Sequence, residues 1–275
     1  MLMGFYRNSF GMSVLIKIIT GFLVLWIACA PLRGSNFDEG ISPLLYEGIN
    51  AESHQNYKKA YKIYQQAHES GNVLGTALLG KLYAYGLGVE VNPSKAKVYF
   101  HIVLKDTKVK HESRLAISYD QAGEVGNERY SPTFLSAAMI VANLGLAHLY
   151  QEGLGMGKSP RKAFKLYKHI LVRMGANKGH GFMLGMLTGI ATFGVGEVLA
   201  RSVAGHSLKL KNLPVALIQK LPYIKTLVSQ TLYEMGMAYK MGIGTGKSRS
   251  KAKECFQMAI DLGSNQALEA MRDLQ

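Results

Sequence analysis

Gly80-Lys-Leu-Tyr83-Ala-Tyr-Gly86-Leu-Gly88 decides the fold, because it recurs twice without a gap. The other copies are Ala147-His-Leu-Tyr150-Gln-Glu-Gly153-Leu-Gly155 and Gly236-Met-Ala-Tyr239-Lys-Met-Gly242-Ile-Gly244. Each places a small residue first, Tyr at the third position after it, and Gly at the sixth and eighth. Downstream of each Gly-x-Gly stands a Lys-Ala pair at a fixed offset: Lys95-Ala96, Lys162-Ala163 and Lys251-Ala252. Agreement at so many offsets marks an internal repeat, and a repeat governs how the rest of the chain is read.

Outward from the motif, the residues that follow have helical spacing. Ala96, Tyr99, Phe100 and Val103 correspond to Ala163, Leu166, Tyr167 and Ile170, and then to Ala252, Cys255, Phe256 and Ala259. Steps of three and four residues place these side chains on one stripe of an α-helix. Ala60, Ile63, Tyr64 and Ala67 carry the same stripe behind Lys59-Ala60, so a fourth unit opens the array, with its first helix over residues 43–55. Asn92-Pro93 and Ser159-Pro160 put a capping side chain ahead of a proline at the first helical position, and Ser248 stands in the same place. The Gly-x-Gly ends the first helix, since a left-handed residue there costs any other type roughly 1–2 kcal/mol. The small residue at the head of the motif lets two helices approach closely. Each unit is therefore a helix, a glycine loop and an antiparallel second helix, and one such pair needs stacked neighbours to bury its apolar face.

This pattern resembles the Sel-one-like repeat (SLR) family, relatives of the tetratricopeptide repeats, over about residues 56–104, 142–175 and 231–271. The resemblance implies an all-α, right-handed α/α superhelix that assembles or recognises other proteins, generally without chemistry of its own. Bacterial members of that family are often exported, and some are lipoproteins serving envelope assembly, polysaccharide export or host contact.

Between the clear copies the pattern wears thin. Ala116, Tyr119 and Ala122 read as the trace of a degenerate repeat, with Glu124 in place of the second Gly, and Asn127 to Pro132 reads as a loop. Gly181-Phe-Met-Leu-Gly185-Met-Leu-Thr-Gly189-Ile-Ala-Thr-Phe-Gly194-Val-Gly196 is apolar and glycine-rich. It has two readings: a drifted repeat, or a membrane-contacting segment whose glycines at four-residue spacing allow close helix packing. The expected organisation is a signal peptide over 1–28, a linker over 29–42 and helical repeats, one degenerate, over 43–175. A glycine-rich segment, degenerate repeat or insertion, follows over 176–228, and the last repeat with a C-terminal cap occupies 229–275. Residues 213–227, with Pro214 and Pro222, are expected to rejoin the array as short helical pieces.

The N-terminus reads as a targeting segment. Arg7 and Lys17 precede an apolar run from Ile18 to Ala28, too short to cross a bilayer comfortably and suited to the core of a signal peptide. Trp26-Ile27-Ala28-Cys29 resembles a bacterial lipoprotein signal, which makes Cys29 the lipidation candidate; simple secretion and an uncleaved anchor are the alternatives. The expected setting is periplasmic and membrane-associated.

The chain has 275 residues, of which 48% are hydrophobic, enough for a sizeable core and against global disorder. A net charge of +14 favours anionic partners, yet no run of five or six like charges suggests a nucleic-acid arm. Two cysteines cannot build a disulfide framework. The expected partner is a protein or peptide, with an acidic polymer as the alternative and a membrane reached through the N-terminal lipid or anchor.

No catalytic, cofactor-binding or metal-ligating set emerges. Gly153 to Ser159 and Gly242 to Ser248 mimic a phosphate loop, but Glu152 and Met241 stand where that motif needs glycine. The histidines lack metal-ligand spacing, and His148 and His169 fall within repeat helices. Lys158, Arg161 and Lys162 in one loop, with Lys247, Arg249 and Lys251 in the other, form a candidate anion-docking edge. The competing reading has solvated loops whose lysine stems cover apolar surface. Cys255 is expected to be a buried, inert thiol, and Tyr83, Tyr150 and Tyr239 are expected in the core.

Overall fold

The computed structural model describes residues 40–113, 123–125, 128–130, 132–176 and 208–274. Cys29, the residues 1–28, the Ala116–Tyr119–Ala122 trace and the glycine run 181–196 lie outside the described residues.

Four helix pairs form the body of the described residues. The first is α1 (Pro43–Ser53) with α2 (Tyr57–Glu69), and the second is α3 (Val73–Tyr85) with α4 (Pro93–Lys105). A short α5 (Thr107–Glu112) and a hairpin of β1 (Gly123–Val125) and β2 (Glu128–Tyr130) follow. The third pair is α6 (Pro132–Glu152) with α7 (Pro160–Arg173). A 3-10 turn (Leu210–Asn212) and α8 (Val215–Ile218) lead to the fourth, α9 (Pro222–Met241) with α10 (Arg249–Asp261), capped by α11 (Asn265–Arg272). The architecture is the all-α stack of helix pairs that the period implies.

The apolar stripes on the second helices face the core. Ala60, Ile63, Tyr64 and Ala67 are buried on α2, and Ala252, Cys255, Phe256 and Ala259 on α10. Small residues on the first helices receive the aromatic rings of that stripe. A β-carbon on Gly80 would lie 2.8 Å from Phe100, and one on Gly236 would lie 2.5 Å from Phe256. Interiors packed to crystal density leave no slack for such an atom.

The second and third helix pairs are in direct contact. α6 packs directly along α3 and α4, and Phe100 of the second pair fills the space above Gly145 of the third. Among the described residues no helix pair stands between them, and the Ala116–Tyr119–Ala122 trace lies outside those residues. The hairpin corrects the loop expected from Asn127 to Pro132. Gly126-Asn127 is a two-residue hairpin sequence, a signal that a search for helical period passes over. α9 likewise packs on α6 and α7. The described residues pause at Ala176 and resume at 208, and the Lys209 N–H donates to the Ala176 carbonyl at 3.2 Å. The first helix of the last pair starts at Pro222, ahead of the repeat expected from 229, because proline is well placed at the first helical position.

α6 is, among the described residues, the one helix long and apolar enough to cross a membrane, but 89% of its apolar window is buried within the protein. Its surface is taken up by α3, α4 and α7, as expected of a central core helix.

Candidate functional site

The repeat motif builds one edge of the stack, and every position in it has a local cause. The first glycine ends helix one in the left-handed region: Gly86 has φ 67°, Gly153 φ 74° and Gly242 φ 75°. Its N–H returns to the last turn, Gly86 to Leu82, Gly153 to Leu149 and Gly242 to Ala238. The second glycine, also left-handed at 88, 155 and 244, meets the preceding unit. A β-carbon on Gly88 would strike Tyr57, one on Gly155 would lie 2.7 Å from Cβ of Pro93, and one on Gly244 would strike the Pro160 carbonyl. Tyr57, Pro93 and Pro160 each open the second helix of the preceding unit. The glycine loop of one unit is thus seated on a helix N-terminus of the unit before it.

The capping residue closes the loop. The N–H groups of Asn92, Ser159 and Ser248 donate to the carbonyls of Tyr83, Tyr150 and Tyr239 at 2.9, 2.8 and 2.9 Å. The Asn92 side chain accepts from the Lys95 N–H at 2.9 Å and the Ser248 side chain from Lys251 at 3.4 Å. Ser159, expected to cap in the same way, makes no side-chain capping bond.

The three tyrosines are half-buried and packed against the core from its margin, a correction to their expected place within it. Each carries on its ring the lysine of its own Lys-Ala pair: Lys95 over Tyr83 and Lys162 over Tyr150 at 5.1 Å, Lys251 over Tyr239 at 5.4 Å. The paired alanines, 96, 163 and 252, are buried beneath. A cation over an aromatic face contributes about 0.5–1 kcal/mol at exposed sites, and the ladder explains the lysine before the alanine in the last three units, whereas Lys59 of the first pairs with Glu47.

Sequence reasoning missed the aromatic neighbours of Tyr83 and Tyr239. Tyr61, next to Ala60, meets Tyr83 edge-on at 6.2 Å with the two hydroxyls 3.2 Å apart. Phe164, next to Ala163, meets Tyr239 edge-on at 5.2 Å. Tyr99 stacks on Tyr83 at 5.9 Å, and His68 meets Tyr99 at 5.0 Å. The available signal was an aromatic residue directly after the repeat alanine in the first and third units; the second unit has Lys97 there.

The six candidate anion-docking residues divide. Lys162 and Lys251 lie on tyrosine rings. Arg249 donates to the Leu274 carbonyl at 2.9 Å and so ties down the C-terminal end. Lys158, Arg161 and Lys247 are exposed. The N-terminus of α7 is covered by Gly244, which lies against Pro160 and the Arg161 nitrogen.

The helix pairs carry further polar groups. His148 stacks on Tyr85 at 4.0 Å, and burial holds its pKa below the usual histidine range, against the nearby Glu152 and a hydrogen bond to the Ala84 backbone. Tyr64 donates to Glu52 at 3.0 Å, and Lys81 pairs with the same carboxylate. Burial raises the Glu234 carboxyl pKa. Cys255 is fully buried, and its thiol pKa is pushed up to about 12, chiefly by burial. His169 is exposed. Among the described residues no group of His, Cys, Asp and Glu is placed to hold a metal ion.

The model of the Sel1 repeat matches residues 44–72, 74–102, 140–168 and 229–264, which follow the four helix pairs. Among solved structures, a Sel1 repeat protein from Oxalobacter formigenes is similar at 18% identity over 83% of this chain and 74% of that one, with a TM-score of 0.30. A second is c5321, described as a protective antigen present in uropathogenic Escherichia coli strains displaying an SLR fold. It is similar at 17% identity and a TM-score of 0.25, over 78% of this chain and 44% of that one. This chain therefore spans less than half of that antigen's length. No curated protein matches the chain.

Proposed function

This chain is a Sel1 repeat protein with four copies of the repeat, and from that premise we propose that it is an exported scaffold, holding a protein or peptide partner along its tyrosine–lysine edge in the bacterial envelope or at the host interface. Sel1 repeats generally serve protein–protein interaction rather than catalysis. The observation that carries the reading is the half-buried row of Tyr61, Tyr83, Tyr150, Phe164 and Tyr239. Its aromatic faces and polar tips are the chemistry that concentrates binding energy at interfaces. Cys29 supplies the lipid tether in this proposal, in keeping with the apolar run before it.

Crosslinking the protein in its own envelope and identifying the captured species by mass spectrometry tests the reading. A defined protein adduct that is lost in Tyr61→Ala and Phe164→Ala supports it; adducts unchanged by both variants would discard it. For the tether, Cys29→Ser should release the protein from the membrane fraction, and retention there removes the lipid from the account. The exposed Lys158, Arg161 and Lys247 favour a second reading, capture of an acidic envelope polymer. That binding should collapse as ionic strength rises, whereas an aromatic contact should persist.

A further inference from the structure

Where α7, α9 and α10 meet the segment returning at residue 208, a pocket of about 430 Å³ opens. Its rim carries four cations, Lys168, Lys209, Lys211 and Lys251, against the single carboxylate of Glu254. The ion pairs among the described residues lie elsewhere, at Lys59–Glu47, Lys81–Glu52 and Lys240–Asp273, so Glu254 is the one described carboxylate set against the four lysines and the rim keeps an excess of positive charge. The rim is also fixed in place. Leu210 is buried between Lys209 and Lys211, and the Lys209 N–H is held by the Ala176 carbonyl. One wall is apolar, made of Phe164 and Tyr239 in edge-on contact.

A group of like charges held together by the backbone lowers its energy by gathering an anion. Inorganic phosphate or a uniform polyanion would use the lysines but leave the Phe164–Tyr239 wall uncovered. A ligand that satisfies both carries carboxylates around an apolar side chain. The volume lies within the range of ordinary ligand pockets, about 300–1,000 Å³, so it suits a short stretch of chain rather than a domain face.

We propose that this pocket binds an acidic peptide segment, with carboxylates on Lys168, Lys209, Lys211 and Lys251 and an aromatic or aliphatic side chain against Phe164 and Tyr239. The assignment rests on the scaffold reading above and deepens it by giving the partner's chemistry. Lys209 and Lys211 stand outside the helix pairs, so charge can be removed there without disturbing the stack.

The test is fluorescence anisotropy of the full chain with a labelled Glu-Glu-Phe-Asp-Glu peptide. The same peptide with glycine for phenylalanine, and polyglutamate, serve as comparison probes. The double variant Lys209→Ala, Lys211→Ala should weaken the first peptide about ten-fold, the scale of two lost ion pairs, with an unchanged thermal unfolding curve. Lys209→Arg with Lys211→Arg should retain binding. Lys58→Ala with Lys62→Ala removes the same charge from exposed α2 positions and should change nothing. Equal weakening by both alanine pairs, no weakening by the pocket pair, or equal binding of the glycine peptide or polyglutamate overturns the assignment. If envelope crosslinks survive in the pocket variant while the peptide fails to bind, the pocket assignment falls and the scaffold reading stands.

Discussion

Gly244 and Pro160 are in backbone contact across two repeats: a β-carbon on Gly244 would stand 2.5 Å from the Pro160 carbonyl carbon and 2.9 Å from the Arg161 nitrogen. The same seat joins Gly155 to Pro93 and Gly88 to Tyr57. The second glycine of the motif therefore serves two ends, a left-handed turn within its own unit and a close approach to the unit before.

Gly244→Ala carries both penalties. Left-handed backbone costs roughly 1–2 kcal/mol and the overlap falls on main chain that cannot rotate away, so a loss of at least about 2 kcal/mol is expected. Gly246 has open space around it and no positive φ, and Gly246→Ala should change stability by no more than about 0.5 kcal/mol. Urea unfolding of the two variants side by side checks this; equal midpoints would contradict the inter-repeat seat.

Tyr83 lies between Lys95 and Tyr61, half-buried rather than enclosed. Its truncation to alanine should cost about 2 kcal/mol, less than the 3–5 kcal/mol expected for Phe100→Ala in the full core. A double-mutant cycle on Tyr83 and Lys95 should return a coupling of about 0.5–1 kcal/mol. A coupling of zero would reduce the lysine to a solvated neighbour.

The Cys255 thiol is buried and its pKa lies well above the usual thiol range. The thiolate is the reactive form, so at pH 8 the native protein should resist alkylation at Cys255 and react fully in urea. A Cys29→Ser background leaves Cys255 as the sole thiol for mass spectrometry. Rapid labelling without denaturant would place the side chain outside the core.

Burial raises the Glu234 pKa above its unfolded value, so the folded state holds the proton more tightly than the unfolded chain. The stability contribution of that proton is present in full below the unfolded pKa and is lost as pH rises through the folded value. Glu234→Gln, which keeps the neutral form, should raise stability at pH 7 and lose that advantage below about pH 4. Thermal unfolding across that range decides the matter; a variant less stable at pH 7 would show that the charged carboxylate is favoured.

The helix pairs were legible because their signals act over a few residues. Gly86 and Gly88 relieve local backbone strain, Asn92 binds an N–H three residues on, and Ala96 to Val103 mark a buried stripe through helical spacing. The tyrosines were misplaced for a related reason: recurrence shows that a position is constrained, and both a core seat and a seat under a lysine constrain it. Tyr61 and Phe164 escaped notice because their partners lie one unit further along the chain.

By itself the sequence determined the unit: helix, left-handed glycine turn, proline- or polar-capped helix, with its apolar face on one side. Only the tertiary structure decided which units touch. Phe100 reaches Gly145, Gly244 reaches Pro160, and the Lys209 N–H reaches the Ala176 carbonyl. The division is physical. Turn and cap energies depend on near neighbours and are written position by position. Joining distant faces depends on buried area, and the entropy of an excursion grows only as the logarithm of its length, so the spacing between motifs carries little information about the stack.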